Sequence, residues 1–92
     1  MGTPNGVGIA VHPNANENHV AQNWIAGNLG HGVDVSGEGN TIAENDVLQN
    51  GGSGIVLAGS GNLVVGNRIK FNLQSGVAVA YWAFKNRISQ NS

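Results

Sequence analysis

The stretch GIVLAGSGNLVVGNRIKFN, residues 54–72, carries asparagine at positions 62, 67 and 72. An aliphatic residue of the kind that faces a core lies two residues after each of the first two asparagines: Val64 after Asn62, and Ile69 after Asn67. A spacing of five fits neither the 3.6-residue period of a helix nor the two-residue period of a long strand. It is typical of very short strands separated by sharp bends. The stretch therefore predicts a chain that changes direction about every fifth residue.

The same pattern recurs along the whole chain. Gly-aliphatic-x-aliphatic occurs at 8–11, 32–35, 54–57 and 76–79, so the glycines are separated by 24, 22 and 22 residues. Eleven of the fourteen asparagines fall into three columns with nearly the same period: Asn18, Asn40, Asn62 and Asn86; Asn23, Asn45, Asn67 and Asn91; Asn28, Asn50 and Asn72. The sequence is therefore an array of four repeats, which is the signature of a solenoid.

Three short strands joined by three bends make one triangular coil, and four such coils stack with their strands ~4.8 Å apart. Each asparagine is interpreted as a corner, because asparagine tolerates the left-handed conformation that a sharp bend needs. Stacked asparagine side chains would form hydrogen-bonded ladders and so satisfy their buried amides. We predict an all-β parallel β-helix that forms a single domain over 1–92, with coils at roughly 6–29, 30–51, 52–73 and 74–92. Fifteen aliphatic residues are predicted to face its interior: Ile9, Val11, Val20, Ile25, Val33, Val35, Ile42, Val47, Ile55, Leu57, Val64, Ile69, Val77, Val79 and Ile88.

Residues 54–72 resemble the repeat G-I-x-L-x-x-S-x-x-N-x-I-x-x-N-x-I-x-x-N of the pectin-lyase-like superfamily, in particular its NosD-type and alginate-epimerase-type repeats. The resemblance covers residues 6–91 and implies a right-handed, single-stranded β-helix in an extracellular or periplasmic protein. It is specific for the fold and not for an activity, since the motif consists of core and corner residues. A left-handed β-helix is the structural alternative, although that fold normally has a six-residue period.

Composition excludes several functions. Four basic residues in 92, with a net charge of −1, leave no basic patch for nucleic acid. No apolar run is long enough to span a membrane, and MGTPNGVGIAV lacks the pattern of a signal peptide. Without cysteine, disulfides and thiolate metal sites are excluded and the compartment is not indicated. The sequence predicts no cofactor, no nucleic-acid partner and no membrane partner.

Two repeats carry a two-residue insertion at the same corner, HPNANEN at 12–18 and AYWAFKN at 80–86. The second insertion holds Tyr81, Trp82 and Phe84, three of the five aromatic residues. The favoured interpretation is that these rings fold over the C-terminal end of the apolar core. A protein interface and a platform for a sugar ring are the alternatives. Trp24 is interpreted as surface packing near an end or an interface, with stacking against a ligand as the alternative.

No capping helix is visible in the sequence, although solenoids usually need atypical terminal caps. Uncapped coils expose unpaired strand edges and a layer of aliphatic side chains. Two explanations remain open, that the chain is a piece of a longer β-helix or that its ends pair with other copies. We predict a homo-oligomer, most simply a dimer.

Three residues are candidates for a catalytic site. Enzymes of the family that the repeat resembles act on acidic polysaccharides with outward-facing carboxylates and nearby Lys, Arg or His. The candidates here are Asp34, His12 and His31, which could supply a general acid and base. The alginate-epimerase motif Asp-Pro-His-Glu has only His12-Pro13 as an echo, and the aspartate clusters that bind calcium in pectate lyases are missing. The three histidines fall at different corners and sides, so no metal site is predicted.

The sequence therefore favours a small non-catalytic β-helix module with a structural or recognition role, which self-associates through its uncapped ends or through 80–86. The alternative is a carbohydrate-active β-helix protein, or a fragment of one, that uses the face around Asp34 on an acidic polysaccharide. A third possibility is a pure assembly element that stacks end to end and forms filaments as its concentration rises. Charged residues elsewhere have plain structural explanations. Asp46 and Arg68, for example, are expected to stack one coil apart, a contact worth about 0.2–1 kcal/mol.

Overall fold

The computed structural model describes residues 6–92; the predicted domain and the stretch inspected for a signal peptide both extend into residues 1–5, which lie outside the described part. Residues 6–92 contain eleven strands of three residues each. They are β1 Ile9–Val11, β2 His19–Ala21, β3 Trp24–Ala26, β4 Val33–Val35, β5 Thr41–Ala43, β6 Asp46–Leu48, β7 Ile55–Leu57, β8 Leu63–Val65, β9 Arg68–Lys70, β10 Val77–Val79 and β11 Arg87–Ser89. The first three coils hold three strands each, and the fourth holds β10 and β11.

The strands form three parallel sheets, one for each side of the coil. Their orders are β1-β4-β7-β10, β2-β5-β8-β11 and β3-β6-β9. Residues of one sequence column pair directly, so that Ile9 lies against Val33, Val33 against Ile55 and Ile55 against Val77. The predicted all-β parallel solenoid of about four turns is confirmed. The expected stacking of Asp46 on Arg68 is also confirmed as a register.

The bends are placed one residue earlier than the sequence indicated. All eleven residues of positive φ in the described chain directly precede a ladder asparagine, for example Glu44 (φ 56) before Asn45 and Gly66 (φ 69) before Asn67. The expectation that the asparagines themselves take the left-handed conformation is wrong. The preceding residue makes the bend and is exposed at the corner, whereas the asparagine that follows is free to turn its amide into the stack.

The asparagine ladders are confirmed and have a uniform direction. Asn45 donates its backbone N–H and its Nδ2 to Oδ1 of Asn67 in the next coil, at 2.9 Å each. Asn45 Nδ2 also donates to the carbonyl of Val20 in the previous coil, at 2.9 Å. Five ladder asparagines are 1% exposed, namely Asn40, Asn45, Asn50, Asn62 and Asn67, yet no buried side-chain N or O atom among the described residues lacks a hydrogen-bond partner. The ladders therefore allow the fold to bury amides at its corners without leaving them unpaired.

The apolar core occupies the middle of the solenoid. Nine buried residues form it, namely Val11, Ile25, Val33, Val35, Ile42, Val47, Ile55, Leu57 and Val64, and four other predicted interior residues pack partly buried against it: Ile9, Val20, Ile69 and Val77. Val79 and Ile88 are 46% and 43% exposed, so the prediction that they are core residues is wrong. Both lie in the fourth coil, where no further coil of residues 6–92 covers their outer side.

Phe71 occupies the most unfavourable of the bend positions. Its φ is 59, and its ring is 77% exposed. The left-handed conformation costs an L-residue about 1–2 kcal/mol, and glycine avoids this cost. Part of the gain in stability is lost, because glycine also increases the backbone entropy of the unfolded chain. We therefore expect Phe71→Gly to raise the melting temperature by about 2–8 °C in a thermal unfolding experiment.

Phe71→Ala is the matched control, because it removes the ring and keeps a side chain in the left-handed position. It is expected to leave the melting temperature within about 2 °C of the parent value. An increase as large as that of the glycine variant would show that the exposed ring, and not the backbone, causes the strain.

Candidate functional site

The most prominent exposed feature is the inserted loop 80–86 of the fourth coil, referred to below as the aromatic loop. Ala83 donates its N–H to the carbonyl of Ala80 at 2.9 Å, which closes a tight turn with Tyr81 and Trp82 at its centre. The inserted loop 12–18 of the first coil forms the same turn, in which Ala15 donates to the carbonyl of His12 at 2.9 Å. The two insertions are therefore equivalent in structure as well as in length.

The rings of the aromatic loop lie on the side of the solenoid and not over its end. Trp82 Nε1 donates to the carbonyl of Ala58 in the third coil at 2.8 Å, and the Tyr81 ring meets the Trp82 ring edge to face, with centroids 5.0 Å apart. Tyr81 is 95% exposed and Phe84 is 61% exposed. The expectation that these rings cap the core is wrong, because all three rings stay exposed and the hydrogen bond of Trp82 directs its indole toward the preceding coil.

The candidate catalytic residues are not brought together. Asp34 is half-buried in β4 and pairs with Ala10 and Val56. His12 follows β1 and is exposed, and the register places it beside Ser36. Two residues along the strand and one coil across put the backbones of Asp34 and His12 roughly 8 Å apart.

His31 belongs to a fourth ladder that the sequence did not indicate. Its Nδ1 accepts the backbone N–H of Ser53 at 2.9 Å, and Ser53 Oγ accepts the backbone N–H of Ser75 at 3.3 Å. The column has the familiar 22-residue spacing, but its residue types differ, so the repeat did not reveal it. Because Nδ1 already accepts a backbone hydrogen bond, His31 acts as a structural acceptor in this conformation.

A shallow groove lies at the corner that follows the third sheet. Leu29, Phe71 and Leu73 line it and are 70%, 77% and 82% exposed, and Gln49 and Gly51 also line it, with a cavity volume of about 470 Å³. The sequence could have revealed this groove, since Phe71 occupies a bend position that is elsewhere polar or glycine, and Leu29 and Leu73 each follow a ladder asparagine at the same corner. Trp24 lies on the adjacent side of the first coil, 70% exposed and in register with Asp46.

Comparison with known proteins gives one result that bears on this geometry. A family model described as right handed beta helix region matches residues 3–92. The chain belongs to this right-handed β-helix family. No curated protein and no solved structure gave a significant match to it.

Membership in the right-handed β-helix family decides between the two handed alternatives in favour of the right-handed one. The family model describes the fold alone. The pectin-lyase-like superfamily is a narrower assignment than this family, and the match does not extend to it. In the described part of this β-helix, no group of three or more His, Asp or Glu side chains is arranged to hold a metal ion. Residues 6–92 also contain no helix with the length and apolar character to span a bilayer.

Proposed function

We propose that this right-handed β-helix is a non-catalytic structural or recognition module that self-associates through its fourth coil and the aromatic loop. The observation that carries the proposal is the concentration of exposed apolar side chains in that coil: Val79, Tyr81, Trp82, Phe84 and Ile88. Large apolar side chains that are exposed together in one coil indicate an interaction site, and Tyr and Trp are among the residues that dominate binding energy at interfaces.

The strand edges support the same function. In residues 6–92, β10 pairs only with β7 and β11 only with β8, so each has one free edge with unpaired backbone groups. Free edges favour the addition of another strand. An added strand from a second copy would satisfy these groups and cover Val79 and Ile88.

The test is the molar mass in solution as a function of protein concentration, by light scattering and sedimentation equilibrium. We expect a weight-average mass that rises above the 9.4 kDa of one chain as concentration increases. Tyr81→Ser combined with Phe84→Ser should weaken the association at least about tenfold, because two exposed rings leave the interface.

Phe71→Ser is the matched control for that double variant. It removes an equally exposed aromatic ring from a different corner in the third coil, and it should leave the association unchanged. A strictly monomeric protein at millimolar concentration would contradict the proposed self-association.

The alternative function, a carbohydrate-active protein of the pectin-lyase-like type, is tested separately. The outward positions of the first sheet are Ala10, Asp34, Val56 and Ala78, so this row supplies one carboxylate and no second acid–base group. Incubation with alginate and pectate should give no unsaturated or epimerised product. Product formation that Asp34→Ala abolishes would replace the proposed role with a catalytic one.

A further inference from the structure

The asparagine ladders give the two ends of the solenoid opposite hydrogen-bonding character. In every ladder step the backbone N–H of one coil donates to Oδ1 of the next, as in Asn18 to Asn40 (2.7 Å) and Asn62 to Asn86 (2.9 Å). The N–H groups of Asn86 and Asn91 therefore point outward from the fourth coil as donors. At the other end, Oδ1 of Asn18 and Oδ1 of Asn23 point outward from the first coil as acceptors.

We infer that the partner of the fourth coil is the first coil of a second copy of this chain, stacked head to tail. This inference rests on the proposed self-association and specifies its geometry. The contact would continue two sheets and two ladders across the junction, with β10 against β1 and β11 against β2 of the second copy. It is called the head-to-tail stack below.

The hydrogen bonds of the head-to-tail stack repeat those inside the chain. The N–H of Asn86 would donate to Oδ1 of Asn18, and the N–H of Asn91 to Oδ1 of Asn23. In return, Asn18 Nδ2 would reach the carbonyl of Ala83, as Asn40 Nδ2 reaches that of Ala15 at 3.1 Å within the chain. Donors meet acceptors at each of these positions.

The two inserted loops become neighbours only in the head-to-tail stack. Within the chain, 12–18 and 80–86 each lie against a coil without an insertion. Across the junction their equivalent turns would lie one on the other, with Tyr81 over Pro13 and Trp82 over Asn14. This contact would explain why matched insertions occur in the first and fourth coils and not in the two coils between them.

Charge and shape agree with this register. Lys85 and Glu17 occupy the same column, both have a φ of 59, and both are exposed, so the stack pairs opposite charges. Ile88 would cover Val20, which is half-buried in the single chain, and would so continue one core column. Arg87 would lie over His19.

Contact between two like ends lacks this complementarity. Two fourth coils facing each other would bring the N–H donors of Asn86 and Asn91 toward donors and would add the positive charges of Lys85 and Arg87. Like-charge contacts and unpaired donors both oppose association. The polarity of the ladders therefore favours unlike ends, and such heterologous contacts let a dimer grow into longer stacks.

Cysteine crosslinking tests the register, since the natural chain has no cysteine. Ser89 and Ala21 share a column through Val65 and Ala43, so in the head-to-tail stack their Cα atoms would lie ~5 Å apart, within reach of a disulfide. A mixture of Ser89→Cys and Ala21→Cys proteins should give a mixed crosslinked dimer under mild oxidation. Ser89→Cys mixed with Ala10→Cys is the control, because Ala10 lies on a different side of the coil, and it should give at least about tenfold less.

A charge exchange tests the same contact without a covalent bond. Lys85→Glu and Glu17→Lys, each alone, should weaken association about 3- to 30-fold, because a pair of opposite charges becomes a pair of like charges. An equimolar mixture of the two variants should recover association near the parent value, since Glu at 85 of one protein then meets Lys at 17 of the other. Both substitutions lie at exposed corners, and thermal unfolding of each variant checks that the fold is retained.

The outcomes separate this inference from the proposed function. Predominant crosslinking of Ser89→Cys with itself, or no recovery in the charge-exchange mixture, in a protein that still self-associates would overturn the head-to-tail stack and leave the proposed self-association standing. A protein that remains monomeric at all concentrations would overturn both.

Discussion

Replacement of Asn67 by alanine is expected to destabilise the protein by about 3–5 kcal/mol, a large part of the stability of a domain of this size. Asn67 is 1% exposed, and its Oδ1 accepts both the N–H and the Nδ2 of Asn45 at 2.9 Å. Its Nδ2 donates to the carbonyl of Ile42 at 2.8 Å and to Oδ1 of Asn91 at 3.0 Å. Alanine cannot replace any of these bonds, so donors and acceptors of two neighbouring coils would stay buried without partners.

Urea unfolding followed by circular dichroism measures this loss, at a protein concentration low enough to exclude self-association. Asn23→Ala is the matched control, since Asn23 is the exposed first member of the same column. Its Nδ2 makes two hydrogen bonds, to Ala21 and Asn45, and its loss should cost no more than about 1 kcal/mol. Equal decreases in the free energy of unfolding for the two variants would show that burial of the ladder asparagines does not determine how much they stabilise the fold.

Replacement of Gly59 by alanine is expected to cost at least about 3 kcal/mol and to leave much of the protein unfolded at 37 °C. An added Cβ would overlap the carbonyl oxygen of Gly37 in the coil below and would lie 2.8 Å from the carbonyl oxygen of Ser36. These are backbone atoms, so relief requires that two stacked coils separate and that hydrogen bonds between them lengthen. Thermal unfolding of the purified variant, or its failure to accumulate as folded protein, measures the effect.

Gly61→Ala provides the comparison for Gly59→Ala. Gly61 has a φ of +69, but the atom closest to an added Cβ is 3.9 Å away. Its substitution should lower the free energy of unfolding only by the cost of holding alanine in the left-handed conformation, about 1–2 kcal/mol. If Gly61→Ala lowered the stability more than Gly59→Ala, the close approach of Gly59 to the carbonyl oxygens of the neighbouring coil would not be the reason that glycine is needed there.

Much of the fold could be predicted from the sequence, because the repeat is strict. A column of asparagines or of aliphatic residues at 22-residue intervals can be buried repeatedly only if the coils lie in register, and the observed pairing of Ile42 with Val64 and of Val47 with Ile69 follows. The conformation of the corners could not be predicted in this way. The general preference of asparagine for left-handed bends pointed to the wrong residue, since here the amide is needed inside the stack and the residue before it makes the bend.

The candidate site was predicted less well, and for a different reason. Tyr81, Trp82 and Phe84 were recognised because they interrupt the repeat, but their direction depends on the hydrogen bond from Trp82 to Ala58 and on the turn at Ala80. The His31–Ser53–Ser75 column and the groove beside Phe71 were not recognised. The residues of the His31 column keep the repeat spacing while changing chemical type, so only their hydrogen bonds show that they belong together.

The sequence by itself determined the number of coils, the three columns of asparagine and the identity of most of the core. Positions that are buried once in every coil recur in the sequence as residues of the same type at a regular interval. Only the tertiary structure decided which way each ladder points, which side chains the fourth coil leaves uncovered and where the inserted loops lie. A hydrogen bond has a direction that residue spacing does not record. The exposure of Val79 and Ile88, likewise, depends on whether another coil lies beyond them and not on their own hydrophobic character.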